Sequence, residues 1–212
     1  MKNMLQKIEV RLNSFLQKEN LELLRKIAKG YSSEVYLVEK NGKKFALKIE
    51  KSDSPRRNMV EKEVENLKVA NSVKVGPKLV AFDLEGRIIL MEFIEGITFA
   101  EFVLEKIPEK KELWKISGKK EFGKNSAKKE LKKIIDDLFK QARKLDSTKV
   151  DHGQLAGKGS NILISKNKNK PVIIDFEKAS MQRRPHNETQ LEAFLFRNPH
   201  SAIAKKVREF LK

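Results

Sequence analysis

Cysteine is absent from all 212 residues, which excludes disulfides and thiolate metal sites and suits a cytosolic, cytoplasmic protein. No run reaches 18 apolar residues, so no transmembrane helix is expected. The opening Met1–Lys7 lacks an apolar signal core and reads as amphipathic, which argues against secretion. The three histidines, His152, His186 and His200, are too scattered for a zinc site. Acidic residues are in deficit: 29 Asp and Glu against 46 Lys and Arg leave a net charge of +17. Lys/Glu enrichment without cysteine is a hyperthermophile pattern, which assigns part of this charge to solvated surface. The remaining surplus favours polyanionic partners such as RNA or a ribonucleoprotein assembly. The length suffices for one compact domain or two small lobes.

The most informative segment runs from Asn161 to Asp175. Two short apolar runs, Ile162–Ile164 and Val172–Ile174, flank a polar Lys/Asn turn and read as a β-hairpin. Pairing Ile164 with Val172 sets Asn161 opposite Asp175 in an antiparallel register. An amide oxygen and a carboxylate would then share one end of a small sheet. These are hard oxygen donors of the kind Mg²⁺ takes beside phosphate oxygens.

Earlier in the chain, Leu5, Ile8, Leu12, Phe15 and Leu16 predict an amphipathic helix over residues 1–20. Leu21–Ile27, Glu34–Glu39 and Lys44–Glu50 read as strands, the last two joined by the hairpin dipeptide Asn41-Gly42. A helix over 56–71 places Met59, Val60, Val64 and Leu67 on one side. After Gly76-Pro77 come two more strands, Leu79–Leu84 and Arg87–Ile94. Helices dominate thereafter. Residues 106–149 hold 15 basic and 7 acidic side chains. Within them Lys115–Asn125 lacks an apolar period and reads as a mobile loop. Leu131, Ile134, Ile135, Leu138, Ala142 and Leu145 form a helix stripe with Ser126 as its cap. Asn187–Phe196 and Ser201–Leu211 read as two closing helices around Asn198-Pro199.

In Phe45-Ala46-Leu47-Lys48-Ile49, strand alternation puts Phe45, Leu47 and Ile49 on one face and Ala46 and Lys48 on the other. A lysine in a central strand is costly to bury unless an anion meets it. On an edge strand it would simply be solvated. The following helix offers Glu61, Glu63 and Glu65. Glu63 is selected because Leu67, four residues on, anchors the same helix inward.

Ala46-Leu47-Lys48-Ile49 resembles the third-strand lysine motif of protein kinases, and Glu63 stands in the place of their helix glutamate. Asn161 and Asp175-Phe176-Glu177 are similar to the catalytic-loop asparagine and the Asp-Phe-Gly metal aspartate. Ile89-Leu90-Met91-Glu92-Phe93-Ile94 resembles the hinge that binds adenine through its backbone, with Met91 as gatekeeper. The resemblance spans residues 24–178 in the right order. His152-Gly153 followed by Asn161-Ile162-Leu163 is similar to elements of RIO kinases, small archaeal tRNA-modification-complex kinases and aminoglycoside phosphotransferases. Together these imply a small, atypical kinase of the RIO-like kind.

Three departures accompany the resemblance. The phosphate loop, Lys29-Gly30-Tyr31-Ser32-Ser33-Glu34-Val35-Tyr36, keeps one glycine where kinases have three. Its backbone amides and the hydroxyls of Ser32 and Ser33 are expected to hold phosphate. Asp175-Phe176-Glu177 carries glutamate in place of glycine, either as an added metal ligand or facing solvent. The base position, counted from His152, falls on Gln154; counted back from Asn161, it falls on Ala156. Neither is a carboxylate, and Asp151 is the nearest stand-in. Lys158, three residues before Asn161, matches a lysine that many kinases keep against the transferring phosphate. Gly157-Lys158-Gly159-Ser160 is not a Walker loop, because it lacks the earlier glycine and leads into a strand.

The expected fold class is α+β, a two-lobe protein-kinase-like fold. Residues 1–94 form an N-terminal lobe of sheet plus helix, and 95–212 a mostly helical C-terminal lobe. The resemblance implies ATP and Mg²⁺ as cofactors. Gly30, Ser32, Ser33, Val35, Ala46, Lys48, Glu63, Met91, Glu92 and Ile94 would bind nucleotide, Asn161 and Asp175 the metal, and Asp151, Gln154 and Lys158 would serve the chemistry. The implied activity is transfer of the ATP γ-phosphate, foremost to Ser/Thr of a protein. The alternatives are an ATP-binding pseudokinase or ATPase-like switch on an RNA or ribosomal assembly, and a small-molecule kinase.

Overall fold

The computed structural model describes residues 2–51, 58–107, 121–157 and 159–212, and the chain divides into two compact units. The first comprises Met1–Ser72 and Gly76–Ile94, the second Val73–Val75 and Glu95–Lys212.

The first unit opens with helix α1 (Lys2–Glu19), followed by β1 (Glu22–Lys29), β2 (Ser33–Lys40), β3 (Lys43–Glu50), helix α2 (Met59–Ser72), β4 (Leu79–Asp83) and β5 (Ile88–Glu92). The strands form one antiparallel sheet in the order β1-β2-β3-β5-β4. Asn41 and Gly42 both take positive φ (52° and 72°), the paired left-handed residues that a two-residue hairpin turn needs to match strand twist. Ile8, Leu12, Phe15 and Leu16 of α1 share a buried cluster with Tyr36, Val38, Phe45, Leu47, Ile49, Ile88 and Leu90. The period-3.6 stripe of the helix thus covers one period-2 face of the sheet. On a second cluster, Val60 and Val64 of α2 pack with Ile89, Leu79 and Met91. This leaves β3 central, with a helix-packed face for the residues that alternate with Phe45, Leu47 and Ile49.

The second unit contains a three-stranded sheet, β6 (Gly96–Thr98), β7 (Ile162–Ser165) and β8 (Pro171–Ile173), in that order. The sequence signals no β6. Gly96 permits it, since a Cβ there would lie 2.1 Å from the Ile164 carbonyl oxygen. A capping box joins Thr98 and Glu101 at the start of a short helix, α3 (Phe99–Glu101), which widens into a π-turn over Phe102–Lys106. Helix α4 (Glu121–Ser147) buries Leu131, Ile134, Ile135, Leu138, Ala142 and Leu145, as the stripe predicts. It begins earlier than expected. Residues 121–125 are helical rather than loop, and Ser126 lies inside the helix instead of capping it. Once the apolar stripe has nucleated a helix, each added residue brings one hydrogen bond, so its extension needs no apolar period. Residues 115–120 of the expected loop lie outside the described residues. Helix α5 (Asn187–Glu192) passes into a π-turn (Ala193–Arg197), and α6 (Ala202–Leu211) is capped by Ser201, whose hydroxyl accepts from the Ala204 N–H. The whole is an α+β, two-lobe protein-kinase-like fold: an antiparallel five-stranded sheet N-terminal to a mostly helical region. No helix among the described residues is long and apolar enough to cross a membrane.

Candidate functional site

In the first unit, β3 carries Lys48 between Val35 of β2 and Ile89 of β5, while Ala46 lies between Leu37 and Met91. Directly opposed residues of antiparallel strands point the same way, so Val35, Ala46, Lys48 and Met91 share one face. Lys48 Nζ lies 3.0 Å from Glu63 Oε1 and 2.7 Å from Oε2, with side-chain exposures of 9% and 4%. Glu63 is carried inward because Val60, Val64 and Leu67 are its buried neighbours on α2, while Glu61 and Glu65 are exposed. A buried ammonium and carboxylate satisfy each other, which removes the cost either would incur alone. At the end of β5, Glu92 is exposed and tied back to Lys78: its N–H donates to the Lys78 carbonyl (2.8 Å) and Oε2 accepts from the Lys78 N–H. Ile94 follows β5 and is partly buried.

The phosphate-loop segment is a tight turn. Gly30 N–H donates to the Ser33 carbonyl at 2.8 Å, and Lys51 N–H donates to the Ser32 carbonyl at 2.8 Å. The Lys51 ammonium sits on the carbonyls of Gly30 (2.6 Å) and Tyr31 (3.2 Å). The open serine hydroxyls expected from the sequence are not displayed. Ser32 and Ser33 are only 4% and 7% exposed, because the residue after the turn enters the sheet and the residue before it pairs with Lys51. Next to the turn, Glu34 Oε2 accepts from Tyr36 Oη and pairs with Lys26 Nζ, both at 2.6 Å. These two partners hold the Glu34 carboxyl below its ordinary value against the opposing effect of burial, the largest single influence on it.

In the second unit the hairpin register differs by one residue from the sequence expectation. Ile162 pairs with Ile173, Leu163 with Val172 and Ile164 with Pro171. Asn161 therefore faces Ile174, whose N–H donates to the Asn161 carbonyl at 2.9 Å, and Asp175 lies one residue beyond. Burial explains the choice. Ile162, Ile164, Pro171 and Ile173 are buried while Leu163 and Val172 are half-buried, so this register matches like faces and the expected one, slipped by one residue, does not. Asp175 then adopts φ 65°, a left-handed geometry that Asp tolerates better than most residues, and leads into a 3₁₀ turn over Phe176–Lys178. One carboxylate oxygen of Asp175 and one of Glu177 lie within 4.8 Å of each other.

His152 anchors this arrangement. It is fully buried, its ring meets Phe176 edge-on at 5.0 Å, and its Nε2 lies 3.0 Å from the Ile174 carbonyl. A carbonyl only accepts, so Nε2 carries a proton. Burial pushes its pKa below the usual histidine value, against the raising influence of the Ile174 carbonyl, Asp175 and Asp151. Its Nδ1 has no hydrogen-bond partner among the described residues.

Asp151 does not turn into an open site. It is 1% exposed, its backbone pairs with Ser180, Oδ2 accepts from Arg183 Nε (2.7 Å) and Oδ1 from Gln190 Nε2 (2.9 Å). A carboxylate so occupied is a fixture of the loop, which corrects its assignment as stand-in base. Gln154 is partly buried and borders a cavity of about 430 Å³ together with Ser160, Asn161 and Lys178. Lys158 lies outside the described residues.

Sequence reasoning missed the residues that shape this loop. Asn187 accepts from the His152 N–H (2.8 Å) and donates to the Val150 carbonyl (2.7 Å) and to Asp146. Gln190 accepts from the Leu155 N–H at 3.0 Å. Two amide side chains three residues apart, beside the buried Leu191, Phe194 and Leu195, were the available signal. Arg183 Nη2 donates to the Lys178 carbonyl at 2.6 Å, in space left by Gly153, where a Cβ would lie 2.5 Å from that nitrogen. Asp175 and Glu177 offer hard carboxylate oxygens within 4.8 Å of each other, close enough for both to ligate one Mg²⁺, so these donors fit that ion.

The family model for the RIO domain matches residues 36–194, well over half of the chain. Among curated proteins, an uncharacterized protein of Methanocaldococcus jannaschii is 37% identical over 81 residues, 38% of this chain. The match spans 66% of that relative's own length.

Proposed function

The chain belongs to the RIO domain family of atypical, ATP-binding kinases, and on that premise we propose that it transfers the ATP γ-phosphate to a serine or threonine hydroxyl of a protein. The observation that carries this reading is the buried Lys48–Glu63 pair on the helix-packed face of the sheet. A desolvated ammonium fixed by a carboxylate is pre-organised for the α/β-phosphates, and fixed charge is the main device of phosphoryl transfer. Val35, Ala46 and Met91 on the same face would receive the adenine, with the backbone of Glu92 to Ile94 beside it, and the turn at Gly30–Ser33 would cover the phosphates. Asn161 and Asp175 would hold Mg²⁺, with Glu177 as a further oxygen. Bound there, the ion would supply positive charge that offsets that of the phosphates.

Gln154 would orient the acceptor hydroxyl. The acceptor oxygen forms its bond to the γ-phosphorus as the bond to the β,γ-bridging oxygen breaks and ADP leaves, and the hydroxyl proton passes to a phosphate oxygen or solvent. No carboxylate base is required when the transition state is loose. Lys158 would neutralise charge on the moving group.

The test is ATP titration with and without Mg²⁺, together with γ-phosphate transfer to protein substrates, on wild type and Asp175→Asn. Asparagine tolerates the left-handed backbone at this position. Mg²⁺-dependent binding and transfer should fall on the order of 10³-fold in the variant, with its urea midpoint measured alongside to show that it is folded. Unchanged transfer sinks the metal assignment.

One observation favours a second reading. With Asp151 closed in and Gln154 at the base position, an ATP-binding switch without transfer, attached to RNA through the +17 surface, accounts for the same residues. Salt-sensitive RNA binding that ATP modulates, with no phosphoryl transfer, would select it.

A further inference from the structure

Lys51 plays no part in the resemblance to kinases, yet it makes three bonds to the phosphate-loop turn. Its N–H donates to the Ser32 carbonyl, and its ammonium to the carbonyls of Gly30 and Tyr31. The turn spans Gly30 to Ser33 with Tyr31 and Ser32 at its tip. Two-residue hairpin turns are ordinarily closed by a bond from the fourth residue's N–H to the first residue's carbonyl. Among the described residues that bond is not made. Gly30 N–H reaches the Ser33 carbonyl, but the Gly30 carbonyl is taken by Lys51 Nζ. The C=O and N–H of a trans peptide point in opposite directions, so drawing the Gly30 carbonyl to Lys51 also turns the Tyr31 N–H away from it.

We infer that Lys51 is a positioning residue for the phosphate chain: by occupying the Gly30 carbonyl it keeps the Ser33 N–H out of the turn and available to a phosphate oxygen. Glycines in a phosphate loop let backbone amides turn toward the anion. This loop has one glycine, and a side-chain cation from the end of β3 does the turning instead. Replacing Lys51 by an uncharged side chain lets Ser33 N–H close onto Gly30, which removes one donor from the anion. The inference rests on the proposed ATP reading, and involves residues of the first unit alone.

The experiment compares wild type, Lys51→Met and Lys51→Arg. In the nucleotide-free protein, amide hydrogen exchange at Ser33 should slow on the order of tenfold in Lys51→Met, since a new bond protects that N–H, and should match wild type in Lys51→Arg. By calorimetry, Lys51→Met should weaken ATP about tenfold, the worth of one charge-assisted bond, and leave adenosine unchanged. Equal Ser33 exchange in wild type and Lys51→Met overturns the inference, as does equal loss of ATP and adenosine or no loss of either. Wild type that binds no ATP withdraws the proposed function and the phosphate role of Lys51 with it. Wild type that binds ATP with Lys51→Met indistinguishable removes the inference alone.

Discussion

The two units support their site residues by different means. In the first, charge is held by charge: Lys48 and Glu63 sit on a central strand and a packed helix and pair with each other. In the second, the Arg183–Asp151 pair is joined by neutral groups that fix the backbone. His152, Asn187 and Gln190 fix the backbone of residues 150–155 and of Ile174, while Asp175 and Glu177 sit on a short turn that this scaffold presents. In the first unit, then, the groups assigned to chemistry also hold the fold. In the second, the residues that fix the loop backbone, His152, Asn187 and Gln190, are other than the carboxylates assigned to the metal.

The largest expected effect breaks the first half of that contrast. Lys48→Met removes the cation from the buried Glu63 carboxylate and should cost about 3–5 kcal/mol in urea denaturation. Lys48→Met with Glu63→Leu should recover most of this, because apolar groups then replace both charges of the pair. A single variant as stable as wild type would show that the pair is not what holds the site. Asn187→Ala tests the second half. It orphans the His152 N–H and the Val150 carbonyl, both buried, and should cost about 2–3 kcal/mol. Its loss of transfer should track the loosened loop, seen as faster amide exchange at His152.

The smallest expected effect is on pH. Folding holds His152 neutral, with its pKa below that of the unfolded chain. The unfolded state therefore binds more protons as pH falls, and this share of stability is full above about pH 6.5 and is lost below it. The urea midpoint should drop between pH 7.5 and 5.5 in wild type, and less in His152→Gln. An equal drop in both would assign the dependence to other groups.

Local pattern carried much of the architecture. Alternation put Lys48 opposite the face of Phe45, Leu47 and Ile49, the i+4 relation to Leu67 singled out Glu63, and Asn41-Gly42 marked the turn, because each is decided within a few residues. The hairpin at 161–175 was legible as a hairpin but not in register. Ile164 is apolar whichever face it takes, and only the burial of Pro171 shows which residues share a side. Asp151 read as available because sequence shows a carboxylate but not its partners, Arg183 and Gln190, 32 and 39 residues away. Asn187 and Lys51 were missed for a related reason. Most of their partners are backbone groups, which every residue possesses, so little in the side-chain pattern announces them.

The space beside Gly153 has a consequence for sequence history. Arg183 Nη2 occupies the room that a side chain at 153 would need, and the same guanidinium holds Asp151. Neither position can change freely while the other stays. Among descendants of a common ancestor, loss of glycine at 153 should coincide with loss of arginine at 183 and a neutral residue at 151, so these three sites should drift as a linked set while their immediate neighbours vary one at a time.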